Sequence, residues 1–125
     1  MESRSTRTRS DQAAVGATTA VNLVRLVGRV SQPEERALPS GDTVWTFRVV
    51  IDRPAGGRSR QRVDAIDCAV WSGRLRRSVQ GWAAGDLVVV TGSLRRRFFR
   101  AGGGAASRVE VEATAGRVIR RATTA

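Results

Sequence analysis

Asp64 and Asp67 are the nearest approach to a catalytic pair in this sequence, and their spacing excludes that role. On an extended segment they point to opposite faces, so they cannot share a metal ion or divide acid and base work. Asp67 shares its surroundings with arginines and reads as a charge partner. Cys68 is the sole thiol, which rules out an internal disulfide and a multi-cysteine zinc site. Histidine is absent, so Ser-His-Asp and Cys-His nucleophiles are excluded, together with the commonest proton carrier at neutral pH. The run Gly57-Arg58-Ser59-Arg60 lacks the Gly-Lys-Ser/Thr ending of a phosphate-binding P-loop. The chemistry on offer is therefore not catalytic, and no enzyme activity, cofactor, metal or small-molecule substrate is expected.

What remains is positive charge. The 125 residues hold 22 basic side chains, every one arginine, against 11 acidic ones, for a net charge of +11. Such a field concentrates polyanions. Exclusive use of arginine also fits a GC-rich genome, so charge alone leaves the partner open. With 41% apolar and 26% charged residues, a chain of this length can build one folded domain. No stretch reaches the ~18 apolar residues of a membrane span. Residues 1–20 are polar and small, without the apolar middle of a secretory signal. They are expected to form a disordered tail on a cytoplasmic protein.

The elements that must carry these charges begin at Val21. VNLVRLVGRV (21–30) reads as a strand with a bend or bulge at Gly28. SQPEERALPSGD (31–42), holding Pro33, Pro39 and Gly41, reads as a turn region. TVWTFRVVID (43–52) alternates with period two, placing Trp45, Phe47, Val49 and Ile51 on the core face and Arg48 outside. The loop RPAGGRSRQR (53–62) then gathers Arg53, Arg58, Arg60 and Arg62 into a basic hairpin tip. In VDAIDCAVW (63–71), Ile66, Cys68 and Val70 face the core while Asp67, Ala69 and Trp71 face away, so Cys68 reads as a buried small hydrophobe. Leu75, Val79 and Trp82 mark one face of a helix within SGRLRRSVQGWAAGD (72–86), capped by Ser72 and stopped by Gly85. In DLVVVTGSLRRRFFR (86–100), Val88, Val90, Leu94 and Phe98 share the core parity; Arg95, Arg97 and Phe99 share the other. A flexible connection, AGGGAAS, leads to a last strand in RVEVEATAGRV (108–118).

Three strands, a helix and two strands predict an all-β, five-stranded OB-fold barrel with one helix between strands 3 and 4. The stretch from Asn22 to Val30, Pro39-Ser40-Gly41, Phe47, Trp71, Gly85 and Val90-Thr91-Gly92-Ser93-Leu94-Arg95 resembles the bacterial single-stranded DNA-binding protein family. The similarity covers the folded domain, expected over residues 21–121 and followed by a short end at 122–125. It implies a homotetramer, associated with the nucleoid, that coats single-stranded DNA in replication, recombination or repair. Trp71 and Phe99 fall where the family places its stacking aromatics, and Arg95 and Arg97 share the face of Phe99. The expected DNA surface comprises these four residues with Arg48, Arg53, Arg58, Arg60 and Arg62. Stacking on aromatic rings beside a basic track is what sequence-tolerant binding requires, because every base has a π-face. Trp45 and Phe98 are expected in the core.

Two further tryptophan positions of the family hold Ala55 and Ala65, which implies fewer stacking platforms, offset by arginine–phosphate contacts from the 53–62 loop. The family's acidic, Phe-terminated tip is not matched by the ending RATTA, so the resemblance implies a specialised paralogue without that recruiting function. The same residues also fit an RNA- or primosome-directed binder of this fold, or an accessory subunit of a related tetramer. Apolar side chains on both faces of the first strand, Leu23 and Val27 against Val24 and Leu26, predict a subunit contact.

Overall fold

Period-two alternation dominates the sequence from Val24 onward, and in the computed structural model it becomes one sheet rolled shut. The structure describes residues 19–123; the expected tail lies, apart from Thr19 and Ala20, outside the described residues. In chain order the elements are β1 (Val24–Ala37), β2 (Thr43–Asp52), β3 (Val63–Val70), α1 (Gly73–Val79), β4 (Leu87–Ala101) and β5 (Gly104–Arg120). The strands close as a barrel in the order β1-β2-β3-β5-β4, with β4 returning to β1. All ladders are antiparallel except the β3–β5 junction, a parallel contact of two register pairs, Cys68 with Val111 and Ala69 with Glu112. This is the expected OB-fold barrel.

The inward rows meet as predicted. Val30, Phe47, Val49, Cys68, Val70, Val88, Val90, Val111 and Ala113 form the buried cluster, and α1 adds Val79. Trp45 and Ile51 pack partly buried against it. Trp82 sets its ring edge-on to Phe47, with centroids 5.4 Å apart and planes at 69°. At Gly92, where the β4–β5 register shifts, the backbone of β5 comes so close that a Cβ would collide with the carbonyl oxygen of Glu112. Asp86, 1% exposed, ties down the far end of β5. It accepts from Ala83 N at 3.0 Å, Ala122 N at 2.8 Å and Arg121 Nη1 at 2.9 Å. Those backbone N–H groups, aided by Arg121, hold its carboxyl below the ordinary carboxylate range.

Four expectations need correction. The region 31–42 is not all turn: β1 runs on to Ala37, taking Pro33 into the strand through a register shift between Ser31 and Glu34, where Gln32 adopts φ 53°. The helix ends at Val79, so Trp82 reaches the core from the turn after it, and Gly85 stops nothing helical. Ser72 occupies the N-cap position but its side chain makes no cap hydrogen bond. Phe98 is not core; it is 76% exposed, with Leu94 of the same row 45% exposed. Its parity is right, but β4 and β5 outrun the barrel as a two-stranded arm whose inward face has nothing to cover it.

Candidate nucleic-acid interface

On the outer face, the end of β3, the start of β2 and the β4–β5 arm enclose a groove of about 440 Å³. Its apolar walls are Trp71, Phe99, Leu38 and Val44, with Ala69 beneath, and its charged lining is Arg36, Arg97, Arg108 and Glu110. Ala69 and Val44, though on outward-facing positions, are 1% and 4% exposed because this lining covers them. Trp71 and Phe99 are thus brought to one cavity from strands far apart in sequence. Each ring carries a guanidinium: Arg97 Cζ lies 5.3 Å from the Trp71 centroid and Arg108 Cζ 5.9 Å from that of Phe99. The indole Nε1 of Trp71 is buried without a hydrogen-bond acceptor among the described residues.

The arginines of this face are not free. Arg97 Nε donates to Glu110 Oε2 at 3.0 Å, and Arg95 Nε to Glu112 Oε1 at 2.9 Å. Arg108 Nε stands 3.8 Å from Glu110 Oε1. Glu110 is 5% exposed, because the rings and guanidiniums of the groove close over it. Three cations and two carboxylates leave this ridge with little net field. Around the barrel, Arg48 Nε bonds Asp67 Oδ1 at 2.8 Å, and Arg53 Nη2 bonds Asp64 Oδ1 at 2.8 Å. Both aspartates are therefore charge partners, as expected for Asp67. Arg58, Arg60 and Arg62, exposed on the 53–62 loop, meet no carboxylate among the described residues.

Of the nine expected site residues, then, Trp71, Phe99 and Arg97 line one groove and Arg95 adjoins it along β4. Arg48 and Arg53 are paired on β2 and just beyond it, and the three loop arginines stand clear of the groove. Sequence reading missed Arg36, Leu38, Arg108 and Glu110. The β4–β5 register would have found the last two, since Arg97 faces Arg108 and Arg95 faces Glu110. Three consecutive glycines in the connection left that register undetermined.

Cys68 lies behind this face, 2% exposed. Burial first, then the charges of Asp67 and Glu110, pushes its thiol up to about 12, so it is not a nucleophile at neutral pH.

Residues 21–119 match the single-strand binding protein family. The chain is 34% identical over 86 residues to single-stranded DNA-binding protein 3 of Listeria innocua, covering 67% of this chain and 54% of that protein. It is 34% identical over 79 residues to single-stranded DNA-binding protein A of Bacillus subtilis, covering 62% and 46% respectively. The matched region thus spans about half the length of these relatives. Among solved structures, a Plasmodium falciparum SSB in complex with ssDNA superposes with a TM-score of 0.65 at 23% identity, covering 81% of this chain and 95% of that one. A mitochondrial single-stranded DNA-binding protein from S. cerevisiae gives 0.59 at 13%, covering 82% and 98%. These likenesses in shape carry the barrel fold.

Proposed function

The chain belongs to the single-strand binding protein family, and from that premise we propose that it binds single-stranded DNA without base preference, as a non-catalytic coat on exposed strands. The observation that carries this reading is the placement of Trp71 and Phe99 on one groove, each ring already faced by a guanidinium. A base entering the groove gains a π-surface on one side. Arg97 or Arg108 either stays as the second slice of the stack or swings onto the adjoining phosphate. Arg58, Arg60 and Arg62, which meet no carboxylate among the described residues, supply further phosphate contacts along the strand. Arg48, Arg53 and Arg95 are held by Asp67, Asp64 and Glu112 and add little to the phosphate track while so paired.

The working unit in this reading is a homotetramer. Leu23 at 63% and Val27 at 41% exposure, on either side of Arg25, present apolar side chains on the outer face at the start of β1, which a second subunit would cover. Light scattering at micromolar concentration tests this; a stable monomer would contradict it.

The binding reading is tested by titrating labelled oligo(dT) at two salt concentrations with the wild type and a Trp71→Ala/Phe99→Ala variant. Each lost stack is expected to weaken affinity by about 5- to 150-fold with little change in salt dependence. Unchanged affinity in the folded double variant would sink it.

A further inference from the structure

Phe98 and Phe99 are consecutive on a regular stretch of β4, so their rings leave the arm on opposite sides. The Phe99 side is the groove. The Phe98 side carries, in cross-strand register, Arg96 with Val109, Phe98 with Ser107, and Arg100 with Ala105. No acidic residue stands on it. Arg96 Nη1 donates only to Ser107 Oγ, at 3.2 Å, and Arg100 makes no ion pair among the described residues. This side therefore holds an unneutralised pair of guanidiniums flanking an aromatic ring 76% exposed, beside Leu94 and Val109, each 45% exposed. The groove side, by contrast, spends its cations on Glu110 and Glu112.

We propose that the β4–β5 arm is two-sided, and that Arg96, Phe98 and Arg100 form a second single-strand site back to back with the groove. The occupant is nucleic acid rather than another copy of this chain, because the patch is cationic without a carboxylate while the protein as a whole carries +11. A ring between two arginines on alternate positions of one strand offers a base a stacking face and its flanking phosphates a cation each. Passing around the free end of the arm, one strand would meet both faces in succession; two strands would be held side by side. This inference rests on the single-strand binding proposed above.

The test uses oligo(dT) of about eight nucleotides, within the 4–16 that one such barrel spans. Titrations of wild type, Phe98→Ala/Arg100→Ala and Phe99→Ala are read for both affinity and oligonucleotides bound per chain, with light scattering in parallel. The wild type is expected to bind in two steps per chain. Phe98→Ala/Arg100→Ala should lose one step and keep the affinity of the other within about twofold. Phe99→Ala should weaken the remaining class by about 5- to 150-fold. Equal stoichiometry in wild type and Phe98→Ala/Arg100→Ala would overturn the second site while leaving the groove intact. So would a change in oligomeric state with unchanged stoichiometry, which would mean that a second subunit covers Phe98. Failure of the wild type to bind at all would instead bring down the function itself.

Discussion

Arg97 reaches diagonally across the β4–β5 ladder to Glu110, Nε to Oε2 at 3.0 Å, instead of meeting the residue directly opposite, which is Arg108. Two arginines in register repel. Glu110 sits between them, with only 6% of its side chain exposed, and pairs with both, offsetting part of their charge. A phosphate entering the groove must therefore compete with a carboxylate already set against both guanidiniums.

Replacing Glu110 with glutamine should release that hold. Glu110→Gln is expected to bind oligo(dT) more tightly and to steepen the plot of log affinity against log salt, by about 0.7 for each arginine newly on a phosphate. Stability should fall by about 1 kcal/mol as Arg97 and Arg108 lose their shared partner. An unchanged slope would mean that the carboxylate does not restrain them.

The arginines of the barrel should divide by pairing. Arg58→Ser, Arg60→Ser and Arg62→Ser should each flatten the salt plot by about 0.7 where a phosphate contact is lost. Arg48→Ser should cost affinity through the liberated charge of Asp67 while leaving the slope nearly intact. Equal slopes for the two groups would refute the distinction.

Acid should loosen the tie at Asp86. Its carboxyl titrates lower in the folded chain than the ordinary value of about 3.9. Its contribution to stability is thus fully present above that value and is lost as pH falls through the folded one. Asp86→Asn should melt well below the wild type at neutral pH, with the gap narrowing below about pH 4. A gap constant with pH would show that the carboxylate charge is irrelevant.

Cys68 should be silent in the native state. A thiol at 2% exposure, pushed up to about 12, reacts with a disulfide reagent only when the barrel opens. Labelling rates should therefore follow denaturant as global unfolding does; rapid labelling without denaturant would contradict the burial.

Alternation of side chains made most of this architecture readable. Phe47, Val49, Cys68, Val70, Val88 and Val90 were placed by parity alone, and parity put Trp71 and Phe99 outside. Parity reports which side a residue takes, though not whether that side is covered. Phe98 obeys the rule yet stands in solvent, because β4 continues past the barrel wall. Ala69 breaks the converse expectation, since the groove lining hides it. Charge was equally ambiguous in one dimension: Arg95 and Arg97 read as free cations until the register brought Glu112 and Glu110 beside them. Pairing across a ladder depends on where the hairpin turns, and a glycine-rich turn leaves that open by a residue either way.

The barrel is a ring with one short link. Every other junction is an extended antiparallel ladder, but β3 and β5 are stitched by two register pairs, Cys68 with Val111 and Ala69 with Glu112. It is the shortest junction of the ring, so the stitch is the first that thermal breathing would undo. Trp71 follows directly on one side of it, and Phe99 rides on the arm that the other side supports. A DNA strand laid across both rings bridges the link from outside, like a clasp. Amide exchange at Ala69 and Glu112 should accordingly slow on binding by more than exchange in the β1–β2 ladder, so that occupancy of the groove also locks the ring.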